Sequence, residues 1–551
     1  MNKRTILLGL ALFAAASMVF AGGKSDTVNT NDPMYPIEIS VYTIAPHQQP
    51  PANNPFFQKI KDELKVTFKF DILVGDAYQK RGVMIASGDY DDILEINETA
   101  FIDAGAVIPL EDLIVKYAPN VEKHIKETGN WEKIKSPDGH IYHIPNYGLV
   151  RGKDQNPLYN QSALWVQKEI LKDAGYPKVV TMDQYFDLLI NYAKKNPTIN
   201  GAPVIPFTIL TFDWHAFCLW NPPNFLAGFP NEGNGTVDPR TYKYENFFTQ
   251  DISKRWFKKL NDLYAQGYLD RSAFTDDYDT YLSKLASGRV LGMHDQGWQF
   301  ENADFALRDS GRYNRTFAPL PIVFDSSIKP RYRNIPIPNI GRGFSISVKA
   351  KDPVRIMRFL NEYMSEKWQR IAWWGIEGKD WQYDSKKVPY RTEQQRKNVE
   401  NREWQYANMN IVMRDAFPNW EGSFSDGYPN DLANFPPERE SLLRSEDKEL
   451  FKAYSVNNYN ELMDKNPPPN ALWFPTWNMP NPPDGSPALL ALRRMEETMK
   501  RMLPQVITAP PAQFEATWTR YVNQLKADGT ATYEAYMQEQ LNARIKAWSP
   551  K

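Results

Sequence analysis

The stretch that decides the fold runs from residue 37 to residue 96: IEISVYTIAPHQQPPANNPFFQKIKDELKVTFKFDILVGDAYQKRGVMIASGDYDDILEI. Ile37, Ile39 and Val41 alternate with polar residues, the period of a strand with two unequal faces. Asn54 and Pro55 then form an N-cap and first-turn pair, and Phe56, Phe57, Ile60 and Leu64 follow at helical spacing. Val66, Phe68, Phe70 and Ile72 return to period two, a second helical stretch runs from Gln79 to Ala86, and Asp92-Ile93-Leu94-Glu95-Ile96 reads as a third strand. This βαβαβ order predicts a largely parallel sheet with helices on its faces. Ligands of such sheets sit beyond the carboxyl ends of the strands, which singles out Asn97, Glu98 and Thr99, residues that serve equally well as ordinary caps and turns.

Toward the N-terminus, Lys3 and Arg4 precede an apolar run from Ile6 to Phe20 that ends in Val19-Phe20-Ala21 before Gly22. This is the pattern of a secretory signal peptide, residues 1–21, cut after Ala21. A polar spacer, 22–35, follows. Gly22 stands where a lipoprotein would carry its cysteine, so there is no lipobox cysteine, and the expected location is periplasmic or extracellular. The one cysteine, Cys218, lies in Phe217-Cys218-Leu219-Trp220 and reads as a buried small hydrophobe, which excludes an internal disulfide scaffold.

Across the 551 residues, 65 basic side chains face 66 acidic ones, so no global field attracts nucleic acid or an anionic membrane, and no nucleic-acid partner is expected. The chain is too long for one simple core and fits two large lobes. Downstream, Asp352-Pro353 opens a helix whose Ile356, Phe359, Leu360, Tyr363 and Met364 form one apolar stripe. Phe514, Trp518, Tyr521, Val522 and Leu525 repeat the pattern up to Gly529, and Tyr533, Met537, Leu541 and Ile545 begin another stripe. Residues 221–248, rich in Pro, Gly and Asn, predict turns and a hairpin over the surface.

Several blocks occur in the order used by one known family. DDILEINETAFIDAGAVIPLEDLIVKYAPNVEKHI at 91–125 is followed by GHIYHIPNYG at 139–148 and LWVQKEILKDAGYP at 164–177. WFKKLNDLYAQGYLD and YLSKLASGRVLGM lie within 256–293, KDPVRIMRFLNEYMSEKWQRIAWWGIEGKDW at 351–381, and LPQVITAPPAQFEATWTRYVNQLKADG at 503–529. Together they resemble the extracellular solute-binding proteins of carbohydrate ABC importers, family 1 type, in the large lipoprotein-like branch that binds oligosaccharides. The resemblance implies an α/β, two-lobed periplasmic-binding-protein fold of type II, like maltose-binding protein, with a hinge between the lobes. It places 36–152 and 318–380 in an N-terminal lobe and 153–317 and 381–551 in a C-terminal lobe. It also implies an oligosaccharide ligand in the cleft, ABC transporter permease subunits as partners, a monomer, and no cofactor.

A sugar ring offers apolar C–H faces and a rim of hydroxyls, so its site needs aromatic platforms edged by planar polar groups. Of the sixteen tryptophans, Trp165, Trp256 and Trp518 fall at helical core positions. Trp298, in His294-Asp295-Gln296-Gly297-Trp298, resembles the stacking tryptophan that follows a strand in maltose-type binders and is the first candidate. Trp373 and Trp374, before Gly375 and Glu377, stand where the family places an aromatic wall, one facing the cleft while the other packs; Trp214, Trp220 and Trp420 are further candidates. Asn97, Glu98, Asp295, Gln296 and Glu377 suit vicinal hydroxyls. Arg151 and Arg342 suit a charged sugar if both point inward, and are otherwise solvated surface arginines.

Two other classes are weighed. An exported glycoside hydrolase needs two carboxylates at a set separation, and Glu377 with Asp380 or Asp276 with Asp279 are pairs of a kind that chance supplies among 66 acidic residues. There is no G-x-S-x-G elbow, His140 and His143 would point to opposite faces of a strand, and no metal-ligand spacing is found, so no catalytic and no metal residues are assigned. A peptide-binding protein would rely on fixed charges for main-chain termini more than on stacked tryptophans.

Overall fold

The computed structural model describes residues 32–45, 47–96, 99–151, 158–159, 161–230, 233–463 and 472–549. The signal-peptide expectation, and those for Asn97 and Glu98, therefore lie outside the described residues. Two sheets organise the chain. The first runs in the order Val66–Ile72, Ile37–Thr43, Ile93–Ile96, Gly343–Ile346, Ile144–Pro145. Its first three strands are parallel, as the βαβαβ reading predicts. The sheet is not parallel throughout, because Gly343–Ile346 pairs antiparallel with both neighbours. That strand arrives from the other lobe and enters at the carboxyl ends of the parallel strands, so it runs against them.

The local signals account for the elements. Asn54 accepts from the Phe56 and Phe57 amides at 2.9 and 3.4 Å, capping the helix Pro55–Leu64, which buries Phe56, Ile60 and Leu64 one turn apart. Ile39, Val41, Ile93 and Ile346 form the centre of the first core, against the helix Pro353–Tyr363, whose predicted stripe is fully buried. Asp352 caps that helix at the Arg355 amide, 2.9 Å away.

The second sheet runs Ile205–Ile209, Val290–Gln296, Ser162–Gln167, Phe317–Leu320. Its first pair is parallel and the other two are antiparallel. The long C-terminal helices Pro487–Thr508, Phe514–Asp528 and Thr530–Trp548 pack on this second core through Phe514, Tyr521, Leu525 and Leu541. Trp165, Trp256 and Trp518 are buried, although Trp165 sits on a strand and not on a helix. Cys218 is fully buried. Within 221–248 the hairpin Gly235–Val237 with Tyr244–Asn246 forms, but most of it is buried under the helix Thr530–Trp548.

Core membership redraws the expected lobe limits. Trp381, Val412, Met413, Phe417, Trp420, Phe424 and Leu432 join the first core, although 381–551 was assigned to the second lobe. Leu320, Ile322, Phe324 and Tyr332 join the second core, although 318–380 was assigned to the first. The reason is that short amphipathic helices pack on whichever apolar face the chain has already built, and their sequence carries no label for it. The chain passes from one sheet to the other between Ile144–Pro145 and Ser162–Gln167, between Phe317–Leu320 and Gly343–Ile346, and again near 436–445. The first two crossings brace each other: Leu158–Tyr159 pairs with Arg333–Asn334, and the Asn339 amide donates to the Tyr147 carbonyl at 3.1 Å. Gly148, at φ +85°, lies so close to Ile337 that a Cβ there would stand 1.9 Å from its carbonyl oxygen.

Candidate functional site

In the second lobe two neighbouring parallel strands, Ile205–Ile209 and Val290–Gln296, end side by side, with Ile209 opposite His294. Each is followed within a few residues by an exposed tryptophan. Trp214 is 55% exposed and Trp298 is 48% exposed, and their rings stack at 5.9 Å with only 10° between planes. The stack continues inward through His215, 3.8 Å from Trp214, to Tyr278, 4.5 Å from His215. Asp213, which launches the first tryptophan, holds φ at +50°, a left-handed conformation that L residues rarely keep without support from their surroundings. Gln296 accepts from the Trp298 indole N–H at 2.6 Å, so its amide fixes the ring's orientation. Two half-exposed indoles side by side, supported from behind, are a ready platform for an apolar face.

Trp298 opens the helix Gly297–Asp309, and Asn302, Phe305 and Asp309 fall on the same face at helical spacing. That face looks across an open cleft of about 590 Å³ toward His47, Leu73, Arg402 and Tyr406, which pack with the first lobe. Tyr406 and Met409 are tied there by Asn54, whose side-chain amide donates to both carbonyls at 3.0 Å. The platform therefore stands one helical turn before the second-lobe residues that line this cleft.

The first-lobe wall is polar. Glu95, fully buried at the carboxyl end of Ile93–Ile96, accepts from Thr43 Oγ1 at 2.5 Å and from the Ile44 amide at 2.9 Å, and is ion-paired with Arg342. Burial opposes the charge of Arg342, but Glu95 and Asp415 outweigh it and hold the guanidinium above its ordinary pKa. His47 meets Asp415 at 2.7 Å. Burial pushes the Asp415 carboxyl up, yet His47 and Arg342 hold it below the usual range. Tyr147 stands 39% exposed beside this group.

The expected site residues divide. Trp214, Gln296 and Trp298 come together in the second lobe, and Arg342 stands at the strand ends of the first. Asp295 is fully buried: it accepts from Tyr281 Oη at 2.5 Å, Gln299 Nε2 at 2.5 Å and the Gln296 amide at 2.7 Å, and burial pushes its pKa up to about 6. It supports the platform from beneath and presents no face to a ligand. Trp374 is also fully buried, donating to the Pro429 carbonyl at 3.1 Å and packed by Trp381 and Phe424, so it is a core residue and not a wall of the cleft. Trp373 is half-buried, its ring 5.3 Å from the Arg414 guanidinium.

Glu377 is exposed in the turn that follows, while Asp380 beside it is buried and accepts from the Ile376 amide at 2.7 Å; that pair does not face one substrate. Arg151 lies 3.9 Å from the centre of the Trp420 ring and 2.7 Å from Glu127, and His124 stacks on Trp420 at 5.7 Å. Arg151 and Arg342 thus take different carboxylates and do not converge. Trp220 and Trp420 are buried. Among the described residues, no group of three or more His, Cys, Asp or Glu is placed to hold a metal ion.

Sequence reasoning missed His47, Tyr147, Glu95 and Asp415. Glu95 did leave a signal, a carboxylate in an otherwise apolar buried strand. His47 and Asp415 are 368 residues apart, and no local pattern joins them.

Known proteins share this architecture. FusA, the fructooligosaccharide ABC transporter substrate-binding protein of Streptococcus pneumoniae serotype 4 (strain ATCC BAA-334 / TIGR4), is 28% identical over 252 residues, 42% of this chain and 45% of FusA, so the match spans less than half of that relative. Lipoprotein LipO of Bacillus subtilis (strain 168) is 21% identical over 69% of this chain and 74% of its own. Among solved structures, an HMO-binding, ABC-transporter-associated solute-binding protein from Bifidobacterium longum infantis superposes with a TM-score of 0.66 at 18% identity, covering 92% of this chain and 99% of that one. At that identity the likeness establishes the fold, a two-lobed periplasmic-binding-protein architecture. Among the described residues no helix is long and apolar enough to cross a membrane. With the two sheets, the crossing segments and the cleft between them in place, and with a family model matching residues 48–370, the chain belongs to the bacterial extracellular solute-binding proteins.

Proposed function

We propose that this protein is the substrate-binding component of a carbohydrate ABC transporter. It captures an oligosaccharide between its lobes and presents the closed form to a membrane permease. The observation that carries the reading is the exposed stack of Trp214 and Trp298, set one turn before Asn302 and Phe305, which line the cleft. Sugar C–H faces settle on the indoles, and hydroxyls meet Gln296, Tyr147 and the outer edge of Arg342. The names of two similar proteins support it: FusA is a fructooligosaccharide ABC transporter substrate-binding protein, and the Bifidobacterium protein is HMO-binding.

Closure follows from differential contact, because only the closed state touches the ligand from both walls. Periplasmic binding proteins are a standard instance of such hinge motion. The chain is a monomer exported by the segment 1–21, and no bond of the ligand is broken. Tryptophan emission and X-ray scattering against a panel of oligosaccharides test the proposal. At least one member should shift the emission and lower the radius of gyration, and be recovered intact. A panel that moves neither signal, or a ligand recovered as fragments, overturns it. Sedimentation and N-terminal sequencing check the monomer and the cut after Ala21.

A further inference from the structure

We infer that the cleft selects uncharged saccharides, and that Glu95 enforces the choice by neutralising Arg342 before any ligand arrives. The inference rests on the sugar-binding reading above and adds the charge class of the cargo. Arg342 is the cation a sugar carboxylate would seek: it stands at the carboxyl ends of the first-lobe strands, and its side chain is 29% exposed. Yet its Nε and Nη2 both donate to Glu95 Oε1. Glu95 cannot turn away, because Oε2 is held by Thr43 Oγ1 and the Ile44 amide, and its side chain is fully buried.

A sugar carboxylate approaching Arg342 would stand against the Glu95 carboxylate, and like charges at that range disfavour each other. A hydroxyl meets no such conflict and still finds the exposed edge of the guanidinium as a donor. Among the described residues that line the cleft, carboxylates outnumber guanidinium groups. His47 is taken by Asp415 at 2.7 Å. Arg402 donates to the neutral Gln405 at 3.0 Å, and Glu403 and Asp309 share the cavity lining with it, two carboxylates to one guanidinium. The platform itself is edged by the neutral amide of Gln296.

Calorimetric titration of the full chain against matched pairs tests this: neutral gluco-, manno-, xylo- and fructo-oligosaccharides, each beside its counterpart carrying one uronate. The wild type should bind at least one neutral member and its uronate at least about 30-fold more weakly. Raising the ionic strength from about 0.02 M to about 1 M should narrow that gap, because it is electrostatic and not steric. Glu95→Gln keeps the shape and releases the guanidinium, so the gap should fall below about fivefold. A uronate bound as tightly as its neutral partner by the wild type overturns the inference while leaving sugar binding intact; so does a gap indifferent to both salt and E95Q. If no saccharide of either kind binds, the sugar-binding reading itself has failed, and this one falls with it. Should E95Q not fold, the wild-type gap and its salt dependence decide alone.

Discussion

Replacing Trp298 with alanine separates a ligand platform from a solvent-facing ornament. A tryptophan buries up to about 250 Å² when fully covered, and 48% exposure leaves about 120 Å² of Trp298 open to a guest. One sugar ring covers between half and all of that surface, so at about 25 cal/mol per Å² the indole contributes about 1.5 to 3 kcal/mol to binding. Trp298→Ala should therefore weaken the best oligosaccharide by about tenfold to about 150-fold, measured by titration calorimetry at a temperature where both proteins remain folded by circular dichroism. Trp214→Ala should do the same. Because the two rings stack at 5.9 Å, the double variant should lose less than the sum of the singles, since Trp214 orients Trp298 as well as touching the guest. Affinity unchanged within twofold in both single variants would refute the platform.

Three further outcomes follow from the geometry. Trp374→Phe loses the bond to Pro429 and some core volume, so it should cost about 1 to 3 kcal/mol in chemical denaturation and leave oligosaccharide affinity unchanged; a selective loss of affinity would return Trp374 to the cleft. Gly148→Ala forces a side chain onto Ile337 at φ +85°, where the two crossing segments meet, and should cost about 2 to 4 kcal/mol or shift the scattering profile between open and closed forms. Burial holds His124 near pKa 3 and His143, His215 and His294 near 4, against 6.5 when free. The unfolded chain therefore takes up these protons first, and stability should fall as pH drops from 6.5 toward 4, by about 3 kcal/mol per histidine at most. Asp295 and Glu421, pushed up to about 6 and about 7 by burial, act in the opposite sense, as do the smaller upward shifts of Asp91, Asp380 and Glu496, while Asp415 and Asp447, held low by their cationic partners, add to the loss in acid. His124→Phe keeps the ring stacked on Trp420 and should flatten the acid slope in denaturation measured pH by pH.

Which parts of this molecule were legible in the sequence depends on whether the deciding contacts are local. The first three strands and their helices were readable because each rests on a period or a cap within its own few residues, as Asn54 and the stripe of the helix Pro353–Tyr363 show. The exposure of Trp298 was readable for a similar reason: a tryptophan placed just past a strand end, among turn residues, has no helical stripe to join. Trp374 carries the same outward signs, with Gly375 and Glu377 after it, yet it closes the first core. Its helix turns that position inward, toward Trp381 and Phe424, which come later in the chain. Asp295 sits one residue from Gln296 in a strand buried from Val290 onward, and only the strand's end separates the buried support from the half-buried amide.

The first-lobe wall was the least legible part, and its chemistry explains why. Glu95, Arg342, His47 and Asp415 come from four segments, and what matters is how their charges cancel. From the sequence, Arg342 between two glycines reads as a free cation, either waiting for an acidic guest or dissolved in water. In the fold it is neither. The carboxylate it meets is already committed to Thr43 and Ile44, so the pair behaves as a fixed dipole with donors on its outer edge. Such a wall attracts groups that donate and accept hydrogen bonds without net charge, which is the chemistry of a sugar hydroxyl. The platform across the cleft attracts the apolar C–H face of the same ring. On the proposed reading the two walls are complementary to opposite features of one neutral guest, and neither wall alone distinguishes that guest from an aromatic compound or a polar solute. Selectivity resides in the closed state, where both must be satisfied at once.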